Sequence, residues 1–237
     1  NRGPARLEPN FGWDFQGLTI EPDEEYPVRV ELVGCAGEQE GVQRVVRAKY
    51  VLGADGARSK VRGAIGAQHV GGVSYHAWGV MDVLANSDFP DIRLKCAISS
   101  QAGSILHIPR EGGYLCRMYI DLGEVAEDDA GNVRKTPIET IIRKANEILH
   151  PYTLDVKNVP WWSVYEVGHR VTDRFDDVPA DEVGTRAPRV FIAGDACHTH
   201  SAKAGQGMNV SMQDSFNLGW KLGHVLTGLA PESLLGT

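Results

Sequence analysis

One continuous stretch, residues 189–209, restricts the fold more than any other part of the chain; it reads RVFIAGDACHTHSAKAGQGMN. It opens with the apolar run 190–193, which predicts a strand inside a sheet, and Gly194 ends that run with Asp195 exposed at its carboxyl end. A glycine-rich turn then leads into an apolar-periodic helix, whose first N–H groups have no partner within the helix. A carboxylate beside such a helix start predicts a site for a flat, polar cofactor.

The turn before this helix offers main-chain groups to a ligand. Its two glycines let a ligand approach the backbone closely. The predicted cofactor contacts in this turn are Gly205, Gln206, Gly207, Met208 and Asn209.

A second turn, residues 54–62 with the sequence ADGARSKVR, follows another predicted strand. It combines an acid, a glycine, a hydroxyl and two cations, which together can hold phosphate and ribose. Taken alone, a plain Asp-Gly turn in which Ser59 caps a short helix explains the pattern better. The occurrence of both turns in one chain favours a ligand site.

Composition excludes some classes of function. The net charge of -7 and the pI near 5.6 argue against a nucleic-acid partner or an anionic membrane surface. No apolar run approaches membrane-spanning length, and Asn1 does not open a signal peptide. The four cysteines show no Cys-x-x-Cys spacing, so we expect a cytoplasmic protein.

The first part of the chain predicts a hairpin. Residues 1–27 contain turn residues but no strong period. From Val28 the pattern alternates, with Val28, Val30 and Leu32 on one face, and after a glycine-rich turn residues 42–52 read as a second strand that ends at the Asp-Gly turn.

The middle of the chain predicts a mixed or antiparallel sheet with one helix packed on it. The predicted strands are residues 78–84, 93–99, 104–108 and 114–121. The helix begins with a capping box at residues 136–139 and keeps one apolar stripe until Pro151, which we interpret as core.

Two predicted strands carry candidate substrate contacts. On strand 114–121, alternation places Arg117 and Tyr119 on one face, for which a solvated surface is the ordinary explanation. On strand 93–99, Lys95 shares a face with the short side chains of Ala97 and Ser99, so the space beside this cation suits an aromatic acid. A surface lysine is an equally good explanation of Lys95.

Taken together, these segments resemble the flavin-dependent aromatic hydroxylases, in the branch of phenol 2-monooxygenase and 3-hydroxybenzoate 4-monooxygenase. The resemblance rests on the two turns and on three further segments, FPDIR at 89–93, IPRE at 108–111 and WWSVY at 161–165. It implies a mixed α/β fold: part of a glutathione-reductase-type FAD-binding domain with an inserted β-sheet substrate domain, as in the p-hydroxybenzoate hydroxylase fold.

The resemblance assigns residues 1–72 and 172–237 to the FAD-binding domain and residues 73–171 to the substrate domain. The Asp-Gly motif serves FAD and NADPH in this family. Asp195 is implied to bind the ribityl chain of FAD, and the glycine-rich helix start is implied to meet the flavin ring. The FAD contacts implied in the Asp-Gly motif are Asp55, Gly56, Ser59 and Arg62.

The resemblance also implies roles in the substrate domain. The family places a tyrosine at the position of Tyr119, where its phenol reaches the flavin and the substrate hydroxyl, so Tyr119 is the implied catalytic residue. Arg117 is implied to lie at the cofactor, and Arg110 at the substrate. The 3-hydroxybenzoate enzymes use a lysine at the position of Lys95 for the substrate carboxylate.

The implied activity is NADPH-dependent hydroxylation of a phenolic ring of the phenol or 3-hydroxybenzoate type, through a flavin hydroperoxide formed from FAD and dioxygen. The expected partners are a small aromatic substrate, dioxygen and, at full length, a second copy in a homodimer. The family's Gly-x-Gly-x-x-Gly unit and the catalytic acid it carries are absent from these 237 residues. We therefore expect a fragment that is inactive when isolated.

Two alternatives remain open at the level of sequence. The chain can be a non-catalytic remnant of the FAD fold that acts as a binding module. Cys197, His198 and His200 also suggest a metal site, but no second ligand group completes a zinc-finger spacing, so we predict no metal.

Overall fold

The computed structural model describes residues 8–71, 76–126, 129, 131–200 and 206–236. The chain divides into two compact units. Unit 1 comprises Asn1–Gly71, Arg170–Thr199 and Gly205–Thr237, and unit 2 comprises Gly72–His169 and His200–Ala204. Within the described ranges, no helix has the length and apolar character needed to cross a membrane.

The strands and helices are named in chain order. The strands are β1 (Trp13–Ile20), β2 (Val28–Gly34), β3 (Gln43–Ala48), β4 (Val51–Gly53), β5 (His69–Val70), β6 (His76–Ser87), β7 (Cys96–Ser100), β8 (Gly103–Pro109), β9 (Cys116–Glu124), β10 (Leu154–Val167), β11 (Arg170–Thr172), β12 (Val190–Ile192) and β13 (His198–Thr199). The α-helices are α1 (Lys60–Ala64), α2 (Ile138–Leu149) and α3 (Gly207–Leu226).

Unit 1 contains an antiparallel sheet in the order β1-β2-β3. The alternation predicted for β2 is confirmed, because Val28 and Val30 are buried in the core of unit 1. The sequence did not predict β1. Most residues of β1 are only half-buried on both faces, so its side chains do not alternate between apolar and polar.

The predicted strand 42–52 is wrong as one element, because it is two strands in two different sheets. β3 pairs with β2, whereas β4 runs parallel to β12. The chain leaves the first sheet around Tyr50, and Val51 N then donates to Arg189 O at 2.9 Å. The sequence pattern continues across this break and therefore conceals it.

Unit 1 also holds a small antiparallel sheet in the order β13-β11-β5. The buried core of unit 1 contains apolar residues of β2, α1 and β12 and of the turn after β12. α3 adds a long helix whose apolar side chains Met212, Phe216 and Trp220 are exposed.

Unit 2 is built on a five-stranded sheet in the order β10-β6-β9-β8-β7, and all neighbouring pairs are antiparallel. This arrangement confirms the predicted sheet. The apolar stripe of α2 is buried as predicted, at Ile141, Ala145, Ile148 and Leu149. The stripe packs with the buried face of the sheet in one core.

The predicted capping box of α2 is wrong. Pro137 is the N-cap residue, and no side chain caps the helix there. Thr136 lies one residue too early to cap, and its Oγ1 donates instead to Val133 O at 2.6 Å. The helix start therefore depends on the fixed backbone of Pro137 rather than on reciprocal side-chain bonds.

Two strand predictions in unit 2 need correction, and a third strand was missed. The strand predicted at 93–99 begins only at Cys96, because Leu94 N bonds Asp91 O in a turn at 2.8 Å, so Lys95 precedes β7. The strand predicted from residue 114 begins at Cys116. β10 was not predicted; it contains Pro160 beside an irregularity in its pairing with β6, which interrupts the alternating pattern.

Candidate functional site

The turn after β12 presents one exposed carboxylate. β12 is buried throughout, and the chain then turns through Gly194–Ala196. Asp195 is exposed, although the residues on either side of it, Gly194 and Ala196, are buried. Gly194 has φ +64°, which favours glycine, and a Cβ there would lie 3.1 Å from Ser211 Oγ. The turn thus directs Asp195 outward at the end of the strand.

A second carboxylate, Asp214 on α3, lies behind this turn. Its Oδ2 accepts a hydrogen bond from Gly194 N at 3.0 Å and lies 2.7 Å from His198 Nε2. His198 is buried, and its ring lies 6.4 Å from that of Phe175. Sequence analysis missed Asp214. The available signal was that Asp214 is the only acidic residue of α3.

The start of α3 is open to a ligand. The N-cap residue is Gln206, and its side chain makes no capping hydrogen bond. The first turn carries no acidic residue, and Met208 and Asn209 are exposed. The positive end of the helix dipole is therefore available to negative charge on a ligand. Gly205, the remaining residue predicted for this turn, lies outside the described residues.

The polar groups of the Asp-Gly turn form hydrogen bonds with one another. Asp55 accepts hydrogen bonds from Ser59 Oγ at 2.5 Å, Lys60 N at 2.7 Å and Val61 N at 3.1 Å. Ser59 Oγ in turn accepts from Arg62 N at 2.9 Å, so Ser59 caps α1. Gly56 has φ +82°, and a Cβ on it would meet open space. Gly56 therefore leaves room beside the main chain.

Arg62 links the two turns of unit 1. Its Nη1 donates to Ala196 O at 3.0 Å, and its Nη2 donates to Ala57 O at 3.0 Å. Nη1 also lies 3.2 Å from His69 Nε2. Burial, together with the nearby guanidiniums, lowers the pKa of His69, which favours the neutral ring as an acceptor for Arg62. Because β4 and β12 are parallel neighbours, both turns lie at the same edge of unit 1.

In unit 2, the faces of β9 alternate as predicted. Cys116, Met118 and Ile120 are buried, whereas Arg117 and Tyr119 are half-buried on the opposite face.

Asp82 on β6 anchors the two arginines near this face. Arg117 bonds it through Nε at 2.7 Å and Nη2 at 2.8 Å, and Arg110 Nη1 bonds it at 3.0 Å. The hydrogen bonds with Asp82, and the charge of that carboxylate, raise the pKa of the Arg117 guanidinium. The sequence analysis also missed Asp82, whose signal was an acid within an apolar strand.

Asp121 forms a second polar cluster farther along β9. It bonds His76 Nε2, accepts from Gly123 N at 2.9 Å and accepts from Ser104 Oγ at 3.2 Å. Burial alone would raise the pKa of Asp121, but the hydrogen bonds from Gly123, His76 and Ser104 hold it below its ordinary value. The carboxylate is therefore ionised and fully engaged with the protein.

The cations of unit 2 differ in how far they are neutralised. Arg110 pairs with Asp82 and also with Glu111, at 2.7 Å. Lys95 is exposed, and no ion pair between residues that the structure describes involves it. Ala97 and Ser99, which follow it at alternate positions, are exposed as well.

Cys197 and His198 are buried within unit 1, and Cys197 packs in its core. Burial raises the pKa of the Cys197 thiol to about 12, so the thiolate that a metal would need is disfavoured. Among the described residues, no group of three or more His, Cys, Asp or Glu side chains is placed to hold a metal ion.

The model of a family described as FAD binding domain matches residues 5–237. The chain belongs to the FAD-binding domain family.

The chain is similar to curated oxygenases. It is 54% identical over 238 residues to 3-hydroxybenzoate 4-monooxygenase of Comamonas testosteroni, a match that covers 99% of the chain and 37% of that relative. It is 44% identical over 195 residues to a phenol 2-monooxygenase of Aspergillus fumigatus, covering 82% of the chain and 32% of the relative. The chain thus spans about a third of the length of these two relatives.

A solved structure gives the same result for the fold. The flavin-dependent monooxygenase PieE, in complex with FAD and substrate, has a TM-score of 0.66 and 26% identity to the FAD-binding chain, over 95% of the chain and 36% of PieE. The predicted family and the mixed α/β fold of the aromatic hydroxylases are therefore confirmed. The homodimer and the cytoplasmic location stay predictions from the sequence.

The described residues fit one side of FAD. Asp195 is an exposed hydrogen-bond acceptor at the carboxyl end of a buried strand, and the start of α3 offers uncapped N–H groups at the same turn. Asp214 joins the two through its bond to Gly194. These groups suit the sugar-like chain and the ring of a flavin.

The predicted site residues fall into two groups. One edge of unit 1 brings together Asp55, Gly56, Ser59, Arg62 and Asp195, with Gln206, Gly207, Met208 and Asn209 at the helix start. The face of β9 brings Arg117 and Tyr119 together, and Asp82 joins Arg110 to them. Lys95 belongs to neither group; it lies directly before β7.

Proposed function

We propose that this chain holds the ribityl and ring side of FAD, and the substrate contacts, in an NADPH-dependent monooxygenase that hydroxylates a phenolic ring. The proposal is carried by Asp195, the exposed carboxylate that the turn after β12 directs outward beside the start of α3. Membership of the FAD-binding domain family and the monooxygenase names of the relatives support it. We propose residues 1–72 and 172–237 for the FAD side and residues 73–171 for the substrate side.

FAD supplies, when bound, the means to activate dioxygen for transfer of a hydroxyl group to the ring. The chain's own residues bind it. Asp195 would accept hydrogen bonds from hydroxyls of the ribityl chain. Gly207, Met208 and Asn209, at the start of α3, would hold the ring, and the helix dipole there would stabilise negative charge on it. The Asp-Gly turn would contribute to FAD binding at Gly56, where the open space beside the main chain leaves room for the cofactor.

Tyr119 activates the substrate. A free phenol has a pKa of about 10, so its ring becomes more nucleophilic only when a group stabilises the deprotonated hydroxyl. Arg117 and Tyr119 are half-buried on the same face of β9, and the phenol O–H of Tyr119 can donate to the substrate oxygen. Asp82 holds Arg117 in place.

Lys95 recognises a carboxylate, which makes the proposed substrate an aromatic acid of the 3-hydroxybenzoate type. The positive charges of Arg110 and Arg117 are compensated by Asp82 and Glu111. Lys95 has no acidic partner among the described residues, so its charge is available to a ligand. The short exposed side chains of Ala97 and Ser99 leave space nearby.

Substrate-stimulated NADPH oxidation by the protein at its natural length tests this function. We expect yellow, FAD-containing protein whose NADPH consumption and ring hydroxylation rise with 3-hydroxybenzoate. Flavin-free protein would overturn the proposal. Protein that holds FAD but shows no stimulation by any phenol or hydroxybenzoate would instead make the chain part of a non-catalytic binding module.

A further inference from the structure

One carboxylate oxygen on α3 contacts the turn that carries Asp195. Asp214 Oδ2 accepts from Gly194 N at 3.0 Å and lies 2.7 Å from His198 Nε2. Gly194 directly precedes Asp195, and His198 follows Asp195 by three residues. Asp214 therefore holds the backbone directly before the residue that we assign to FAD and the His198 side chain three residues after it.

Other contacts make the turn rigid against α3. Cys197 N donates to Gly194 O at 2.8 Å, which closes the turn. A Cβ on Gly194 would lie 3.1 Å from Ser211 Oγ, so the turn and the helix are already in contact. Ser211 Oγ donates to Gly207 O at 2.9 Å, which ties this contact to the first residue of α3.

We infer that Asp214 is a positioning residue for FAD, which fixes the carboxylate of Asp195 at a set distance from the start of α3. The inference rests on the proposed function, because it takes Asp195 and the helix start as contacts of one FAD molecule. FAD must meet both at once, and a turn ordered before binding removes the cost of ordering it during binding. Asp214 acts without touching FAD itself.

A purely structural role for Asp214 predicts a different outcome, and a double-mutant cycle separates the two. If Asp214 acts through Asp195, its loss matters less once Asp195 has been replaced. If Asp214 only stabilises the fold, the loss of FAD affinity is the same in both backgrounds.

The experiment measures the Kd for FAD and the visible flavin spectrum of the protein at its natural length. Asp214→Ala should weaken FAD binding by about tenfold to a hundredfold, because it removes the acceptor of two hydrogen bonds to a charged group. Asp214→Asn can keep an acceptor oxygen in this place but removes the negative charge, so it should weaken binding less. Gln213→Ala, an exposed neighbour on α3, should bind FAD as the wild type does. In the Asp195→Ala background, Asp214→Ala should cost less than threefold.

Three results decide the matter. Wild-type affinity in Asp214→Ala, or an equal loss in the Asp195→Ala background, would overturn the inference and leave the proposed function in place. Wild-type protein that binds no FAD would overturn the proposed function, and the inference with it. If Asp214→Ala does not fold, Asp214→Asn and its double variant with Asp195→Ala carry the same comparison.

Discussion

Unit 1 and unit 2 each hold one group of candidate residues organised around one carboxylate, but the two carboxylates bind different kinds of partner. In unit 1, Asp214 holds a main-chain turn, and the groups offered to a ligand are one carboxylate and backbone N–H groups. In unit 2, Asp82 holds two arginine side chains on the face of a sheet. Unit 1 therefore depends on backbone conformation, whereas unit 2 depends on charge pairing. Substitutions should separate the two regions accordingly.

The largest expected effect is on unit 2. Asp82→Ala leaves Arg110 and Arg117 partly buried without their shared partner, so we expect the free energy of unfolding to fall by about 3 kcal/mol. Urea denaturation measures it. Asp155→Ala removes an exposed ion pair with Lys157 and is the control, with an expected change below about 1 kcal/mol. Equal losses in both variants would show that Asp82 does not anchor the arginines.

The backbone of unit 1 is tested by Gly194→Ala. The positive φ and the contact with Ser211 should cost about 1–3 kcal/mol of unfolding free energy and weaken FAD binding. Gly219→Ala is the control, because Gly219 lies inside α3 with open space around its Cα and has no positive φ. That variant should be neutral or more stable by up to about 1 kcal/mol. A tolerated Gly194→Ala would contradict the account of the turn.

Lys95→Ala tests the substrate side without disturbing the fold. We expect the KM for 3-hydroxybenzoate to rise about tenfold, with little change for phenol, because only the acid offers a carboxylate to Lys95. Lys157→Ala, another exposed lysine of unit 2, should alter neither KM. Equal changes for both substrates would remove the carboxylate role of Lys95.

The smallest expected effect is a pH dependence in unit 2. Burial lowers the pKa of His107, which lies in the core with Nδ1 bonded to Leu94 O at 2.9 Å. The unfolded chain thus binds the proton first, so stability is complete above about pH 6.5 and falls as the pH drops below it, by at most about 1.4 kcal/mol per unit. Unfolding at pH 7.5 and 5.5 measures the difference. His107→Asn should reduce it, and exposed His169→Asn should not.

The sequence predicts those parts of the fold in which one local pattern decides the structure. Buried β12, the alternating β2 and β9 and the apolar stripe of α2 are of this kind. The division of residues 42–52 between two sheets was hidden, because a strand's pattern does not name its partner.

The same limit applies to the site. Asp195 and Tyr119 could be proposed from motifs, since each stands in a recognisable local segment of the sequence. Asp82 and Asp214 could not, since each acts on residues far along the chain, and only the folded structure brings the partners together.

Binding of FAD to wild type and Asp195→Ala at natural length tests the central claim most directly. The account predicts that the wild type binds one FAD with a shifted visible spectrum, and that Asp195→Ala binds it at least about tenfold more weakly. A wild type that binds no FAD, or an Asp195→Ala variant with unchanged affinity, would contradict it.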